Sequence, residues 1–301
     1  MSDEKFVVTH RHEGWAELIL NRPERRNAII APMSIALKSE LNALASDNDV
    51  QCVVLRGAEG YFCSGVDLKA LQADPPPPWR DQQFSSWREL HICLYQFPKP
   101  IIGAFEKFGI NAGAALAMAC DLLVSGETAF LQVGEIQQGS GVPMNAAWSK
   151  IKMTEQVFAR LAFMGDRVQG PDLVRLGLAM ECVDDDMVVE RCHEIAKRIA
   201  SFPVGASSTV KSSIVGQRGV SDVEAFFSKG GASTALLTAG KVQQLALKCR
   251  ALQSQNRLSD DVVLNLTGTT GDGIASVVIH SARDHITVVR ANCTGAIGAH
   301  A

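Results

Sequence analysis

The chain has 301 residues, 47% hydrophobic and 20% charged, which is enough to bury the core of one large domain or two small ones. Its formal charge of −3 predicts no nucleic-acid partner, because phosphate binding needs a basic excess. No apolar run reaches the roughly 20 residues that cross a bilayer, and the N-terminus "MSDEKFVV" is charged, so we expect a cytoplasmic protein without a membrane span. The eight cysteines contain no CxxC pair and do not cluster with histidine, so no metal site is expected.

The first 140 residues alternate predicted strands and helices. "WAELILN" (15–21) is a predicted strand, the polar turn "RPERRN" follows, and a helix begins near residue 32 with leucines at helical spacing. The remaining elements of this part are predicted strands at 50–57, 101–106 and 122–126 and a helix within 79–97. Short, wholly apolar strands are typical of parallel sheets covered by helices on both faces. The alternation therefore predicts an α/β fold.

The second half is predicted to be mostly helical up to about residue 252. Helices are expected at 155–165, 171–177, 187–202, 204–216 and 221–252, and glycines close the first two. The tail, 255–301, is rich in Gly, Thr, Ser and Asp. Its three β-like runs, "VVLNL", "ASVVI" and "ITVV", are consistent either with a small sheet or with a mobile segment.

Two glycine-containing segments follow buried strands and are candidates for a ligand site. They are "YFCSGVDL" after "VVLRG" and "GINAGAAL" after "IIGAF". Ligands of α/β proteins collect where strands end, and helix N-termini there offer unpaired N–H donors. Two such donors that converge on one point form an oxyanion hole. The glycine content alone favours ordinary tight turns.

Several longer segments together resemble the crotonase superfamily, the enoyl-CoA hydratases and isomerases, over residues 5–252. They are "LNRPERRNAI", "VVLRGAEGYFCSGVDLKAL", "FPKPIIGAF", "LAMACDLLVSGETAFLQVGEI" and "GLAMECV". The resemblance implies an α/β fold of the crotonase type, a ββα spiral with a C-terminal helical region. It implies a spiral core at 1–200, a helical trimerisation region at 201–254 and an extension at 255–301 outside the family pattern. A homotrimer or hexamer is expected.

The resemblance also implies where catalysis takes place. The backbone N–H groups of Val66 and Ala112 are expected to hold the oxygen of an acyl-CoA thioester, and Glu135 is expected to be the base. A second carboxylate that hydratases of the family commonly carry falls on Ala115, which cannot exchange protons. The alternative interpretation of Glu135 is a carboxylate in a structural hydrogen bond. Its neighbours Val133 and Ile136 suggest partial burial, which raises a carboxyl pKa.

Arg25 and Lys69 match positions that lie near the nucleotide of coenzyme A in this family. Coenzyme A is part of the substrate, and no separate cofactor is expected. The alternative for both residues is solvated surface charge. Three other residues are weaker candidates: Asp67, which is expected to be structural or to cap a helix; Cys63, which lacks a nearby histidine; and His91, which is expected to be packed or solvated.

A single carboxylate suffices to move a double bond, because it can take a proton and return it to another carbon. We therefore favour 3-enoyl to 2-enoyl-CoA isomerisation slightly over hydration, which normally needs a second group to orient water. Two alternatives stay open, an enoyl-CoA hydratase and a catalytically inactive protein that binds CoA thioesters or acts as a scaffold.

Overall fold

The computed structural model describes residues 5–229 in full and the backbone of 262–270, 273–282 and 285–291. The chain divides into two compact units. The first contains residues 1–138 and 142–230, and the second contains residues 139–141 and 231–301. The second unit contains three antiparallel strands, Val262–Thr270, Gly273–Ala282 and His285–Ala291. Each of the three β-like runs of the tail lies in one of these strands. None of the described helices is long and apolar enough to cross a bilayer.

The first unit is built on a six-stranded sheet in which all neighbours but one pair are parallel. Its order along the sheet is β1-β2-β3-β4-β6-β9, and β1 and β2 form the antiparallel pair. The strands are β1 Val7–His12, β2 Trp15–Leu20, β3 Cys52–Gly57, β4 Ile101–Phe105, β6 Leu122–Gly126 and β9 Glu181–Val183. Strands β2 and β4 are wholly buried, as the apolar sequence of β4 predicts, and the burial of β2 includes the charged Glu17.

The first unit also contains a second sheet, which has three strands. It consists of β5 Phe108–Ile110, β7 Phe130–Gln132 and β8 Arg167–Gln169, in the order β5-β7-β8. Strands β5 and β7 are parallel, whereas β7 and β8 are antiparallel. The chain thus adds β4 to the first sheet and β5 to the second before a helix, and repeats this with β6 and β7. This repetition is the predicted ββα spiral, and the α/β prediction is confirmed.

Ten helices lie within the described part of the first unit. They are α1 Ala31–Ala45, α2 Leu68–Leu71, α3 Gln83–Gln96, α4 Ala112–Ala119, α5 Pro143–Lys152, α6 Glu155–Met164, α7 Gly170–Arg175, α8 Val188–Ala200, α9 Ala206–Gly216 and α10 Val223–Ser228. All eight residues of α4 are buried, so the helix lies in the core. Its small side chains, five of them alanine, let the surrounding elements approach closely.

The long elements follow the sequence predictions, and the short strands do not. Helix α6 ends at Gly165, which has a φ of 63° as expected of a terminal glycine. Gly177 has a φ of 74° and follows the C-cap of α7, Leu176, at the position where a terminal glycine is expected. The four three-residue strands, β5, β7, β8 and β9, were not predicted, because three residues are too few to show an alternation of apolar and polar side chains. Strand β1 was also missed, since its exposed end, "HRH", is polar. Most of the helix predicted at 221–252 lies outside the described residues.

The stretch that connects β5 to α4 is tightly packed against the turn after β3. A Cβ atom added at Gly113 would collide with the carbonyl oxygen of Cys63. The backbone of Gly113 fixes the position of the added Cβ, and the oxygen belongs to the backbone of Cys63. Neither atom can therefore move without moving a chain segment. Gly113 is therefore required for the close approach of these two segments.

This packing predicts opposite results for two helical glycines. Gly113→Ala is expected to lower the free energy of unfolding by about 1–3 kcal/mol through overpacking. Gly216→Ala, in α9, has no described atom within 4 Å of the new methyl group and is expected to raise it by roughly 0.5–1 kcal/mol. Urea unfolding of both variants measures the difference. Equal effects of the two substitutions would contradict the packing argument.

Candidate active site

Three segments of the first unit run side by side in parallel and end at the same edge. Cys63, in the turn after β3, pairs with Gly109 of β5, and Gly109 pairs with Leu131 of β7. Parallel neighbours in a sheet lie about 4.8 Å apart. The residues just beyond these paired positions therefore leave the three segments at the same edge of the sheet, whatever their distance along the sequence.

The three residues expected to carry the chemistry occupy this edge. Val66 and Ala112 each lie three residues beyond a paired position, and Glu135 lies four beyond Leu131. Gly65 brings the first two segments together, because a Cβ atom there would lie 2.8 Å from the carbonyl oxygen of Ile110. The structure thus brings Val66, Ala112 and Glu135 to one end of the second sheet.

The N–H groups of Val66 and Ala112 are available for a ligand. Ala112 is the first residue of α4, where the helix provides no acceptor for the amide. Val66 precedes α2 and forms an isolated parallel bridge with Ile29. In this bridge the N–H of Ile29 donates to the carbonyl oxygen of Gly65, and the N–H of Asp67 donates to that of Ile29. The N–H of Val66 itself takes no part. No acceptor within residues 5–229 takes the N–H of Val66 or Ala112.

Glu135 is held at this edge in a mostly desolvated environment. Its Oε1 accepts a hydrogen bond of 2.7 Å from Nδ2 of Asn145, and its Oε2 is buried with no donor among the described residues. Burial raises the pKa of Glu135 to about 7, and the bonds from its own backbone and from Asn145 oppose that rise. The partial burial expected from the sequence is confirmed. A carboxyl with this pKa exchanges protons readily near neutral pH.

Two asparagines connect the base to the start of α4. Asn145, on α5, donates from Nδ2 to the carbonyl oxygen of Asn111 at 3.1 Å as well as to Glu135. The Oδ1 of Asn111 accepts from the backbone N–H of Gly134, next to Glu135, at 2.8 Å. Sequence reasoning missed both residues. The only available signal was that Asn111 replaces a glycine-rich pattern in the second loop.

The two basic residues expected near a nucleotide both border the first loop. Arg25 donates from Nε and Nη2 to the two oxygens of Asp67, at 3.2 and 2.8 Å, and its carbonyl oxygen accepts from the Ser64 hydroxyl. Its guanidinium is thus largely engaged inside the protein. Lys69 is exposed on α2, three residues after Val66.

The weaker candidates have structural roles. Asp67 caps α2 through Ala70, and although burial favours its neutral form, bonds from Arg25 and Arg22 hold its pKa at about 2. Burial raises the pKa of Cys63 to about 12, so its thiolate is not accessible near neutral pH. His91 is buried, and its Nδ1 accepts from the Trp148 indole at 2.8 Å. These outcomes agree with the expectations for all three.

Only one carboxylate is present where family hydratases commonly have two. Ala115, on α4, is fully buried among apolar residues and presents no polar group. Within the described part of the chain, no three His, Cys, Asp or Glu side chains come together in a way that could hold a metal ion. The candidate site therefore consists of two backbone donors, one carboxylate and one buried amide.

The chain is similar in sequence and in fold to several known proteins. The sequence is 28% identical over 214 residues to the 1,2-epoxyphenylacetyl-CoA isomerase of Escherichia coli, covering 70% of this chain and 82% of the relative. It is 28% identical over 205 residues to the probable enoyl-CoA hydratase echA12 of Mycobacterium bovis, covering 65% and 72%. The solved structure of Pseudomonas aeruginosa PA4980 superposes with a TM-score of 0.65 at 27% identity, covering 74% of this chain and 97% of that one. The sequence model of the enoyl-CoA hydratase/isomerase family matches residues 10–254, and the chain belongs to this family.

Proposed function

We propose that the protein isomerises 3-enoyl-CoA thioesters to 2-enoyl-CoA thioesters. One observation carries the proposal: a lone buried carboxyl with a pKa of about 7, Glu135, shares a sheet edge with the unpaired amides of Val66 and Ala112. The two amides would hold the thioester oxygen. The carboxylate would act beside it on the carbon atoms of the acyl chain.

The reaction divides into two proton transfers. Glu135, as a carboxylate, removes a proton from C2 of the 3-enoyl thioester, and the electron pair moves onto the thioester oxygen. The N–H groups of Val66 and Ala112 stabilise the resulting dienolate, and loss of one such donor typically costs ~10²–10³ in rate. Glu135 then returns the proton to C4, which leaves the double bond between C2 and C3. The carboxyl ends in its starting state, so one acid–base group completes the cycle.

Hydration of a 2-enoyl-CoA is the second candidate. The observation in its favour is that Oε2 of Glu135 and Oδ1 of Asn145 are both buried without a donor among the described residues. Two neighbouring acceptors can take the two hydrogens of one water molecule and orient it for attack. Ala115, in place of a second carboxylate, speaks against efficient hydration. Of the two relatives, one is named an isomerase of a different CoA thioester, 1,2-epoxyphenylacetyl-CoA, and the other a probable enoyl-CoA hydratase.

We further propose that Lys69, with the part of Arg25 that Asp67 leaves free, contacts the phosphates of coenzyme A. The two residues border the loop that carries Val66, and phosphates attract lysine and arginine. Coenzyme A enters as part of the substrate, and the proposed chemistry needs no other cofactor.

We also propose that the protein forms a homotrimer or hexamer. Several apolar side chains of the region after α8 are exposed in the single chain, among them Val210 and Ile214, which are 60% and 57% exposed on one face of α9. Exposed apolar patches commonly mark protein–protein contacts. A second copy of this chain would cover this face.

The base is tested by Glu135→Gln. We expect the wild type to convert a 3-enoyl-CoA with no change in mass, and the variant to lose at least about 10²-fold in kcat, because an amide cannot accept the proton. The wild-type kcat should fall as the pH drops below about 7, where the carboxylate becomes protonated. Rates with 2-enoyl- and 3-enoyl-CoA panels and mass spectrometry provide the measurement.

Each other outcome of that experiment has a defined meaning. Gain of one water by a 2-enoyl-CoA, lost in Glu135→Gln, would replace isomerisation by hydration. Equal binding of CoA thioesters by both proteins without turnover would leave only the inactive binding or scaffold protein.

The nucleotide contact is tested at Lys69, because Arg25→Ala would also release the buried Asp67. Lys69→Ala is expected to raise KM for a CoA thioester by roughly 1.5- to 5-fold, the range of one exposed charge contact. A pantetheine thioester, which lacks the nucleotide, should show no change. Lys197→Ala, at an exposed lysine of α8, is the matched control. Equal effects on both substrates would refute the contact.

Self-association is tested by placing charges on the exposed face of α9. The double variant Val210→Glu and Ile214→Glu is expected to reduce the mass measured by light scattering from a multiple of 32.3 kDa towards that single value. Ser212→Glu, which lies on a different face of the same helix, is the control. A single-chain mass for the wild type, or an unchanged oligomer in the double variant, would contradict the proposed interface.

A further inference from the structure

We infer that Asn145 is a positioning residue that fixes both the side chain of the base, Glu135, and the direction of one oxyanion donor, the N–H of Ala112. The inference rests on the proposed function for its catalytic consequence, but its geometry stands independently. A single amide group, Nδ2 of Asn145, donates to Oε1 of Glu135 at 2.7 Å and to the carbonyl oxygen of Asn111 at 3.1 Å. One side chain therefore connects the carboxylate to the peptide that begins α4.

The orientation of the Asn145 side chain is determined by its surroundings. Both neighbouring atoms, the Glu135 carboxylate oxygen and the Asn111 carbonyl oxygen, are acceptors, so only the NH₂ end of the amide can face them. The side chain is 2% exposed, and its Oδ1 has no donor among the described residues. Burying an amide costs free energy unless its bonds are made. The two bonds of Nδ2 are thus what this buried residue provides.

The bond to Asn111 determines the direction of a different group, the N–H of Ala112. The carbonyl of Asn111 and the amide of Ala112 belong to one planar trans peptide, in which C=O and N–H point in opposite directions. Asn145 and the backbone N–H of Ala115 both hold the carbonyl at 3.1 Å. Holding the oxygen on one side keeps the Ala112 hydrogen directed to the other side, where the proposed thioester oxygen would lie.

This peptide needs such support, because its backbone is strained. Asn111 has φ and ψ of 54° and −106°, a conformation that side-chain-bearing residues rarely adopt. Its own side chain and amide are also engaged, with Gly134 and Gln132. Asn145 supplies the bond that links this strained peptide to the base.

The bond to Glu135 has a second consequence, for proton affinity. A donor to the carboxylate favours its charged form and so opposes the rise in pKa that burial causes. Among the described residues, Asn145 is the only other side chain that shifts this pKa, and no charged group there contributes to it. Loss of Asn145 therefore moves the pKa of Glu135 further upward, which a space-filling role would not do.

The test uses two substitutions and one matched control. Asn145→Ala removes both hydrogen bonds, and Asn145→Leu keeps a similar volume but presents neither a donor nor a charge. Both are expected to lower kcat for the 3-enoyl-CoA by about 10²-fold, with KM within threefold, and to move the acid limb of the pH profile to higher pH. Ser149→Ala removes a buried hydroxyl that bonds only within α5, to Ala146, and should leave all three quantities unchanged. Unchanged kcat and acid limb in both Asn145 variants would overturn the inference.

A second measurement does not depend on turnover. Because the folded pKa of Glu135 lies above 4.5, the wild type loses stability relative to Glu135→Gln as the pH rises from 4.5 to about 7. In the Asn145→Ala background this relative loss should continue above pH 7. Urea unfolding of the wild type, Glu135→Gln, Asn145→Ala and the double variant between pH 4.5 and 9 measures this loss of stability. An inactive wild type with this shift would refute the proposed function alone, and the absence of the shift would refute the role of Asn145.

Discussion

The backbone of Asn111 is the constraint on which the candidate site depends. A residue with a side chain adopts a φ of 54° with ψ of −106° at a cost of about 1–3 kcal/mol, and only surrounding bonds keep it there. Those bonds run to Gln132, Gly134 and Asn145. Because the same residues lead into Glu135 or bind it, the strained peptide and the base form one connected unit. The strain is located where α4 begins, so the free amide of Ala112 is presented in a fixed direction.

Burial explains the remaining properties of this unit. The carboxyl group of Glu135 loses water on folding, and this desolvation brings its pKa close to neutral pH. The same burial strengthens its bond to Asn145. Ala115 is fully buried and adds no polar group to this unit. Within the described residues, the unit thus contains one carboxylate and the uncharged amide that supports it.

The sequence carried most of the fold and part of the site. A continuous apolar run identified β4, a largely apolar one identified β2, and leucine spacing identified α1, because burial leaves a pattern in the sequence. Resemblance to a family located Val66, Ala112 and Glu135, which no local pattern would have singled out. The strands β5 and β7, which bring these residues to one edge, are three residues long and have no detectable period. Asn145 was also missed, since an asparagine near a helix start is usually a cap or a solvated residue.

The amino-acid sequence by itself determined the α/β spiral, the family and the presence of a single candidate base, because hydrophobic period and motif spacing are properties of neighbouring residues. Only the tertiary structure decided how that base is held. The register of β5 and β7 sets Glu135 beside Ala112, and the packing of α5 brings Asn145 between Glu135 and Asn111. Contacts between residues 23 and 34 positions apart leave no local pattern, since they depend on how distant segments pack.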